Sequence, residues 1–599
     1  MSSRLVLAGP PGVGKSTVAT LCAARLGWRR VDTDEELARR LGLPVPEIFA
    51  RYGESRFRAE EAALCQELAG ESAVVVATGG GTLLHEPSRQ SLLTSPAVGV
   101  CLTADLGTLL LRLGPDAARS RPLLQPAADA GVDGLRLRLR ELLHQRAAAY
   151  RALPYHLDTT AASPETVAAQ ACGLAAAEVE HLRVTHPAGG YDLRIGSGLL
   201  SYVGSALAGR GYTGPLCIVS DTNVGPLYAE RVRASLQAAG QSCFTAFIPA
   251  GEPNKNLRTL EQIYNALTQG GVERGGAVLA LGGGVVGDLA GLAAATYLRG
   301  IGLIQVPTSL LAMADSSIGG KVGLDLAAGK NLVGAFKHPD LVLMDLACLH
   351  TLPEAELRAG LGEVVKAALI AGGPAYERLT ALPQRFPPCA PLVLRRDAAT
   401  DAKLPADRAA LTELLSPLRD ALRLKRALVE EDPEEHGRRV LLNLGHTFAH
   451  GLEPWSGYAL RHGDAVALGL LSAARLSARL GLCAAEFPEE LRRLMHRLGL
   501  PTTLPIRSGA AAAGEASKES VSTESTDDEI TEEIGPKDSA VKAIWAFMQH
   551  DKKRHARKTR FVLIRAPGEI VTCDSVEDDK AQDAVRTLFR EPAPEKDIG

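Results

Sequence analysis

Short apolar runs alternate with amphipathic segments in the first part of the chain. The runs Leu5–Ala8, Ala73–Thr78 and Val98–Leu102 are almost wholly apolar, which is typical of strands buried on both faces of a parallel sheet. Ser16–Leu26 and Arg136–Tyr150 instead place apolar residues at the spacing of a helix face. This alternation predicts a βα domain built on a parallel sheet.

The same pattern divides the rest of the chain. We expect the following parts: an α/β domain at residues 1–172, a linker at 173–190, a second α/β domain at 191–346 and an all-helical domain at 347–599. The linker is indicated by the Thr, His, Pro and Gly residues of His181–Gly190. Strands of the second α/β domain begin at Leu216–Ser220, and after about Ala347 long segments rich in Leu, Ala and Arg predict helices.

One segment of the last domain has a different composition. Gly514–Asp538 holds nine acidic residues, two lysines and seven Ser or Thr, with almost nothing apolar. Such a segment buries too little apolar surface to offset the entropy lost on ordering. We therefore predict a disordered acidic insertion at 508–539.

Charge and cysteine content exclude several classes of protein. Among 599 residues, 66 Lys and Arg stand against 69 Asp and Glu, a net charge of −3, which argues against a nucleic-acid or membrane-surface partner. The ten cysteines form no Cys-x-x-Cys pair, as expected in a reducing compartment. With no signal peptide and no uncharged apolar run of about 18 residues, we expect a cytoplasmic enzyme of small molecules.

A phosphate-binding motif follows the first predicted strand. Gly9-Pro10-Pro11-Gly12-Val13-Gly14-Lys15-Ser16 fits G-x-x-x-x-G-K-[ST] and opens a helix, the context that this motif requires. Backbone N–H groups of such a loop wrap a triphosphate, the lysine reaches its β- and γ-phosphates, and the hydroxyl binds Mg²⁺. The predicted ATP-binding residues here are Gly12, Gly14, Lys15, Ser16 and Thr17.

Two carboxylates follow the motif at Asp32 and Asp34. On an extended segment, side chains at i and i+2 point the same way, so one of them could hold Mg²⁺ through water while the other meets a substrate hydroxyl. The alternative is that Asp32 only caps the helix predicted at Glu35–Leu41.

Six motifs in this part closely resemble shikimate kinases. They are Asp32-Thr33-Asp34, Ile48-Phe49, Gly53-Glu54-Ser55-Arg56-Phe57-Arg58, Gly79-Gly80-Gly81, Arg121-Pro122-Leu123-Leu124 and Arg146 with Tyr150. A P-loop alone would also fit nucleoside or gluconate kinases, which the paired arginines and the triple glycine disfavour.

The resemblance implies roles for individual residues. Asp34 would hold the reacting hydroxyl of shikimate and act as its base, beside the catalytic Lys15. Arg121 would lie on a lid and reach the transferred phosphate, and Arg112 would lie against adenine. The residues implied to bind the shikimate carboxylate are Arg58, Gly79, Gly80, Gly81 and Arg146.

A second glycine motif follows the predicted strand Ala277–Leu281. Gly282, Gly284 and Gly287 satisfy G-x-G-x-x-G, a pyrophosphate-binding turn when it joins a strand to a helix. The acidic residue expected about 20 positions later is missing, because that region reads Gln305-Val306-Pro307. The ribose must then be held elsewhere, and the candidates are Asp221, Asn223, Glu252 and Lys255.

Three groups could bind a metal ion in the last domain: Glu363, His446 and His462. Two histidines and a glutamate leave an open position for a substrate, as a catalytic zinc site requires. His446 and His450 are also spaced i, i+4 on one helix face, so spacing alone leaves open whether His450 or His462 completes the set.

The second part closely resembles 3-dehydroquinate synthases over residues 183–599, apart from the acidic insertion. The motifs are Gly282–Ala295, Tyr297-Leu298-Arg299-Gly300, Pro307–Ala312, Asp315–Lys321, Gly329-Lys330-Asn331, Gly362–Lys366, Asn443–Thr447 and His462–Ala465.

This resemblance implies a zinc or cobalt site at Glu363, His446 and His462. The implied NAD set is Asp221, Asn223, Glu252, Lys255, Gly283, Gly284, Asp288, Thr308 and Ser309. The implied substrate contacts are Arg299, Asp315, Lys321, Lys330, Asn331, Lys366, Arg439, Asn443 and either Lys552 or Lys553. Asp315, Lys366 and His450 would be catalytic, with His450 on the substrate side.

The resemblances together imply a fusion of two enzymes. The first would phosphorylate shikimate with ATP and Mg²⁺. The second would use NAD⁺ and zinc or cobalt to convert 3-deoxy-D-arabino-heptulosonate 7-phosphate to 3-dehydroquinate and phosphate, with a possible homodimer through the synthase part. The expected fold is α/β: a P-loop kinase domain, an NAD-binding domain and an all-helical metal-binding domain. Rival readings are another sugar-phosphate cyclase, a zinc polyol dehydrogenase or a nucleotide-sensing regulator.

Overall fold

The computed structural model describes residues 4–94, 96–119, 121, 123–124, 131–327, 329–382, 408–505, 536–553 and 560–589. The chain forms two compact units. One comprises Met1–Thr308 with Gly320–Ala347, and the other comprises Ser309–Gly319 with Cys348–Gly599. No helix within the described residues combines the length and the apolar character needed to cross a bilayer.

A five-stranded parallel sheet forms the core at the start of the first unit. Its strands are β1 (Arg4–Ala8), β2 (Arg29–Asp32), β3 (Val74–Ala77), β4 (Ala97–Thr103) and β5 (Tyr155–Asp158). They lie in the order β2-β3-β1-β4-β5, and central β1 pairs in parallel with both β3 and β4. Every residue of β1 is buried, which explains why Leu5–Ala8 form an apolar run.

Within the described residues, seven α-helices connect or flank these strands. They are α1 (Lys15–Leu26), α2 (Thr33–Leu41), α3 (Val45–Ala69), α4 (Glu86–Leu93), α5 (Leu106–Arg119), α6 (Gly131–Arg151) and α7 (Pro164–Ala177). Both α1 and α2 begin at the carboxyl end of a strand, so their first turns lie at one edge of the sheet. That edge is where ligands bind in α/β proteins.

The expected linker at 173–190 is wrong. Its first residues complete α7, and the remainder forms an antiparallel pair, β6 (Glu178–His186) and β7 (Gly189–Gly196). Leu182 and Val184 of β6 are buried, whereas Arg183 and Thr185 are exposed. The polar residues that suggested a junction are therefore the outer face of an edge strand and the turn after it.

β6 and β7 belong to a seven-stranded sheet of the first unit. Its other strands are β8 (Leu216–Asp221), β9 (Cys243–Ile248), β10 (Ala277–Gly282), β11 (Gly302–Pro307) and β14 (Leu341–Asp345), and a separate hairpin consists of β12 (Lys321–Leu326) and β13 (Gly329–Phe336). The sheet order is β6-β7-β14-β11-β10-β8-β9. Its helices are α8 (Val203–Leu207), α9 (Gly225–Ala238), α10 (Leu257–Gln269) and α11 (Gly284–Thr296).

The second unit is mainly helical, as expected. Its helices are α12 (Glu354–Ala371), α13 (Gly373–Thr380), α14 (Arg408–Glu431), α15 (His446–Trp455), α16 (His462–Arg479), α17 (Phe487–Arg497), α18 (Pro536–Lys553) and α19 (Asp578–Arg586). The acidic insertion lies outside the described residues, except that its predicted end, 536–539, is the first turn of α18.

The expectation of an all-helical unit is wrong at one place. Phe561–Ala566 and Glu569–Cys573 form an antiparallel hairpin, β15 and β16. The first four residues of β15 are buried, and the turn between the strands contains Pro567 and Gly568. A run of Phe, Val, Leu and Ile before Pro-Gly favours a strand and a turn over a helix.

Helices α12 and α16 approach each other closely at two glycines. A Cβ at Gly463 would overlap the backbone of Ala359, and a Cβ at Gly362 would overlap the carbonyl of Gly463. Only residues without a side chain permit this crossing. The neighbours of these glycines in the sequence are Glu363 and His462, so the crossing brings two predicted metal ligands together.

The first prediction concerns this crossing. Gly463→Ala should lower the thermal unfolding midpoint of the second unit, because overpacking a close crossing costs about 1–3 kcal/mol. Fluorescence reports on it, since two of the three tryptophans, Trp455 and Trp545, lie in this unit. Gly70→Ala is the control, because the nearest atom to its Cβ would be a carbonyl oxygen at 3.5 Å. Equal midpoints for the two variants would contradict the prediction.

Candidate active sites

The glycine loop after β1 surrounds a lysine. The ammonium of Lys15 donates to the carbonyls of Gly9 and Pro10, both at 3.0 Å. Burial lowers the pKa of Lys15 to about 8, although Asp34 and Asp32 act in the opposite direction. The lysine is thus a desolvated cation held against the loop that would wrap a phosphate.

Asp32 and Asp34 do not lie together on an extended segment, and that expectation is wrong. Asp32 ends β2 and caps α2: its Oδ1 accepts from the backbone N–H of Asp34 at 3.2 Å. Asp34 therefore lies in the first helical turn. The hydroxyl of Ser16 donates to Oδ2 of Asp32 at 2.7 Å. Asp32 is at once the helix cap and the partner of the predicted Mg²⁺ ligand Ser16.

The three consecutive glycines form a close cradle for three predicted site residues. A Cβ at Gly79 would overlap the carboxylate of Asp34. A Cβ at Gly80 would lie 2.6 Å from a guanidinium nitrogen of Arg146, and one at Gly81 would lie 2.6 Å from one of Arg58. The glycines thus let one carboxylate and two guanidinium groups converge on a single turn.

A buried acid that we did not predict supports this cluster. Glu61 is 2% exposed. It forms an ion pair with Arg58 at 2.7 Å and accepts from the hydroxyl of Thr82 at 2.5 Å. Burial, and then the charges of Asp32 and Glu61, raise the pKa of Asp34 to about 6. The signal was present, because Glu61 occupies a core-facing position of α3 between the buried Phe57 and Leu64.

The two remaining arginines of this part lie in different surroundings. Arg112 donates to the hydroxyl of Thr159 at 2.9 Å and to its carbonyl at 2.6 Å. The hydroxyl of Thr159 in turn donates to the carbonyl of Val13 at 3.4 Å, which places Arg112 beside the glycine loop. Arg121 is exposed, and its charge is one of those that lower the pKa of Lys15.

The second glycine motif joins β10 to α11, as predicted. Gln305, at the position where an acid was expected, is 5% exposed and donates to the carbonyl of Gly287 at 3.1 Å. This glutamine therefore supports the glycine turn. Asp221 ends β8 and accepts from the backbone N–H of Asn223 at 2.8 Å. Thr308 donates its N–H to the carbonyl of Gly282 at 2.9 Å.

A buried ion pair lies beside this turn. Lys255 is 6% exposed. Its ammonium lies 2.5 Å from a carboxylate oxygen of Asp288 and donates to the amide oxygen of Asn331 at 2.6 Å. Lys330 pairs with Glu252 at 2.8 Å. Predicted cofactor residues and predicted substrate residues therefore form one network in the first unit.

A residue that we did not predict closes this network. Asp325 accepts from the backbone N–H of Asn331 at 2.8 Å and donates its own N–H to the carbonyl of Lys255 at 2.8 Å. Asn331 adopts a left-handed conformation with φ of 53°. Asp325 thus holds Asn331 in a backbone conformation that few residues other than glycine adopt. No sequence motif distinguished it.

Several predicted residues lie elsewhere. Arg299 and Lys321 are exposed side chains of the first unit. Ser309 belongs to the second unit, where its hydroxyl accepts from the N–H of Ala312 at 3.3 Å. Lys552 and Lys553 end α18, and their side chains lie outside the described residues.

A candidate metal site lies in the second unit. Ligand atoms of Glu363, His446 and His462 all lie within 4.8 Å of one another. Glu363 is 1% exposed, and neither of its oxygens accepts a well-directed hydrogen bond, although the ammonium of Lys366 lies 2.5 Å away. The donor set fits zinc or cobalt, which favour imidazole and carboxylate ligands.

This cluster contains one of the two alternative histidines. His462 belongs to it, whereas His450 stacks edge-on against His446 with ring centroids 5.7 Å apart. A further buried acid, Glu453, accepts from Nδ1 of His462 at 3.1 Å. That contact turns Nε2 of His462 toward Glu363, which is the usual arrangement behind a metal-binding histidine.

Asp315 lies near the metal site within the second unit. Its carboxylate accepts from the ammonium of Lys425, and the ammonium of Lys366 lies 4.0 Å away. Burial opposes ionisation, but the charges of Lys366 and Lys425 hold the pKa of Asp315 below its usual range. Lys425 was not predicted, because it stands in an ordinary Leu/Arg helix without a motif.

Two other predicted substrate residues form hydrogen bonds within the second unit. Arg439 is 2% exposed and donates to the carbonyl of Gly319 at 2.9 Å. Asn443 donates to the carboxylate of Glu435 at 2.9 Å. In this structure Arg439 therefore supports the loop that carries Asp315.

Comparison with known proteins assigns family resemblance to each part. Residues 11–174 match the shikimate kinase family. Residues 245–359 match the 3-dehydroquinate synthase N-terminal family, and residues 360–521 match the 3-dehydroquinate synthase C-terminal family.

Curated relatives carry the same description. The 3-dehydroquinate synthase of Citrifermentans bemidjiense is 42% identical over 327 residues, which is 54% of this chain and 85% of the relative. That of Symbiobacterium thermophilum is 39% identical over 404 residues, 67% of this chain and 98% of the relative.

Solved structures agree on the fold of the second part. The 2-epi-5-epi-valiolone synthase of Streptomyces hygroscopicus, solved with NAD⁺ and Zn²⁺ bound, is 26% identical. It covers 66% of this chain and 96% of its own, with a TM-score of 0.53. A 2-deoxy-scyllo-inosose synthase, 21% identical, covers 68% of this chain and 100% of its own with a TM-score of 0.54.

The second prediction concerns the acid behind His462. Glu453→Gln should weaken binding of added Zn²⁺ about 10- to 100-fold, because partners that orient a ligand histidine contribute that much to metal affinity. Competition with a chromophoric chelator measures the affinity without any turnover. Glu489→Gln is the matched control, since Glu489 pairs only with Arg492 of the same helix among the contacts described for it. An affinity equal to that of the control would refute the role of Glu453.

Proposed function

The chain belongs to the 3-dehydroquinate synthase family and carries a shikimate kinase domain ahead of it, and we propose that the two sets of site residues perform the corresponding reactions. It is a bifunctional enzyme of the shikimate pathway. One activity transfers a phosphate from ATP to shikimate. The other converts 3-deoxy-D-arabino-heptulosonate 7-phosphate to 3-dehydroquinate and releases phosphate.

In the kinase, the chain mainly positions charges. Arg58 and Arg146 bind the carboxylate of shikimate, which leaves a ring hydroxyl beside Asp34. Asp34 accepts the proton of that hydroxyl as it attacks the phosphate, while Lys15 and Arg121 stabilise the charge on the transferred group. Ser16 and Asp32 would hold the Mg²⁺ that accompanies ATP, and Arg112 would lie against its adenine. Convergence of the first three side chains on the glycine turn supports this assignment.

In the synthase, Glu363, His446 and His462 would hold zinc or cobalt, and Glu252, Lys255 and Asp288 would hold NAD⁺ with the glycine turn. When bound, the metal polarises a substrate oxygen and NAD⁺ accepts and returns a hydride. Lys330 and Asn331 would bind the anionic groups of the substrate. Asp315, Lys366 and His450 would bind and relay protons at its hydroxyls.

The convergence of Glu363, His446 and His462 is the single observation that carries the synthase proposal. A regulator without activity would have no need for a buried, poorly hydrogen-bonded carboxylate between two imidazoles. A polyol dehydrogenase could share this metal site, but it would leave NADH as a product, whereas the synthase returns the hydride in each turnover.

Matched variants of the full chain test the two activities. With heptulosonate phosphate, Zn²⁺ and catalytic NAD⁺, the protein should release phosphate and 3-dehydroquinate in equal amounts without net 340 nm absorbance. Glu363→Gln should reduce this activity by about 100-fold or more and leave the kinase intact. Asp34→Asn should do the reverse, so each variant is the control for the other. Accumulated NADH, or absence of phosphate release, would disprove the synthase assignment.

The third prediction is a pH profile of the kinase. The pKa of Asp34 is raised to about 6, and only the ionised carboxylate accepts a proton. The kcat/KM for shikimate should therefore fall tenfold per unit below this pH and stay constant from there to about pH 8, where Lys15 loses its proton. Glu61→Gln removes a negative neighbour and should move the fall to lower pH. A profile that stays flat down to pH 5 would show that Asp34 is not the titrating group.

We further propose that two copies associate through the synthase part and that the enzyme acts in the cytoplasm. Leu332, Val333 and Phe336 of β13 are 41%, 37% and 52% exposed, an apolar stretch that a partner copy would cover. The cysteines that the structure describes are free thiols, as a reducing cytoplasm requires. Sedimentation should give twice the mass of the chain, and a monomer at micromolar concentration would contradict the dimer.

A further inference from the structure

The kinase domain and the first elements of the synthase are packed together inside the first unit. Tyr155, at the start of β5, is fully buried, and the guanidinium of Arg194 in β7 lies 5.7 Å from the centre of its ring. Arg194 is itself 3% exposed. The attraction between a cation and an aromatic face is stronger when both are buried, because desolvation strengthens it.

Two further rings lie against glycines across the same boundary. A Cβ at Gly209, just after α8, would overlap the imidazole of His156 in β5. A Cβ at Gly173 in α7 would overlap the hydroxyl of Tyr202. Burial lowers the pKa of His156 to about 4, so this imidazole is neutral at pH 7. The fit is close enough that neither glycine leaves room for a methyl group.

The backbone crosses this boundary without a flexible connection. Helix α7 ends at Ala177 and β6 begins at Glu178. The carbonyl of Ala177 accepts from the N–H of Ser197, which follows β7, at 2.8 Å. The last kinase helix is thus tied to the synthase sheet by a hydrogen bond.

The interface is close to the phosphate-binding loop along β5. This strand carries Tyr155 and His156 at its start, and Thr159 follows its end. Thr159 donates to the carbonyl of Val13 in the glycine loop and accepts from Arg112. Contacts that hold β5 in place from the synthase side therefore also help to position Thr159 and Arg112 beside the glycine loop.

We propose that the first elements of the synthase, β7, the Tyr202 segment and α8, form a docking surface for the kinase domain of the same chain, and that the kinase depends on this surface for its stability. The match to the shikimate kinase family ends at residue 174. Arg194, Tyr202 and Gly209 consequently lie outside the kinase domain that they support, and the two catalytic domains unfold together.

A variant on the synthase side, read out on the kinase side, tests this dependence in the full chain. Arg194→Met should lower the temperature at which half of the shikimate kinase activity is lost by at least about 2 °C, the shift that a modest loss of stability gives in a domain of this size. Independent domains would show no change. Arg183→Met is the matched control, because Arg183 pairs with Asp192 at 3.0 Å but is a mostly exposed side chain of β6.

A second measurement covers the case in which Arg194→Met fails to fold. In the unmodified chain, shikimate with ADP should slow hydrogen exchange in peptides from β7 and α8, although no kinase ligand touches them. Gly209→Val, which places a side chain against His156, should abolish this transfer of protection. Exchange that is unaffected by kinase ligands, or an inactivation temperature equal in both arginine variants, would overturn the proposal. Slower exchange in the glycine loop shows that the ligands bind, so failure of this proposal is distinguishable from failure of the proposed kinase activity.

Discussion

Close approach of backbone at glycine residues is the constraint on which both sites depend. In the kinase, a single turn of three glycines leaves room for one carboxylate and two guanidinium groups. In the second unit, Gly362 and Gly463 let α12 and α16 cross at a distance that no side chain allows. Charged groups that would otherwise be separated by a layer of side chains are thereby brought within a few ångströms. At both sites, the missing side chain of a glycine is what allows the charged groups to come together.

The charges gathered in this way are buried, and burial is costly unless each has a partner. Lys255 has Asp288, Glu61 has Arg58, and Asp315 has Lys425. Glu363 has the ammonium of Lys366 at 2.5 Å, although its oxygens receive no well-directed hydrogen bond. The paired groups explain how these domains fold around several buried charges. Partners such as Glu453 then orient the ligands without touching the reacting atoms.

The sequence was informative where a motif fixes both a residue type and its local structure. The glycine loop, the strand before it and the helix after it were all predicted. Asp34 was misplaced because a helix cap at Asp32 ends the strand earlier than alternation suggests. Lys425 was missed because its partner Asp315 is 110 positions away in the sequence. Glu61 and Asp325 have partners nearby in the sequence but stand in no motif. The supposed linker failed because an edge strand with a polar face resembles a loop.

The direct continuation of α7 into β6 has a physical consequence for the fusion. Neither reaction consumes the product of the other, so the two sites gain nothing from passing an intermediate between them. A kinase domain of this size buries a smaller fraction of its surface than a larger body does, and its edge strand β5 would be open if it stood alone. Packing Tyr155 and His156 against the synthase covers that strand. Joining the two enzymes therefore has a structural effect even where it has no catalytic one, because it gives the smaller partner a larger core.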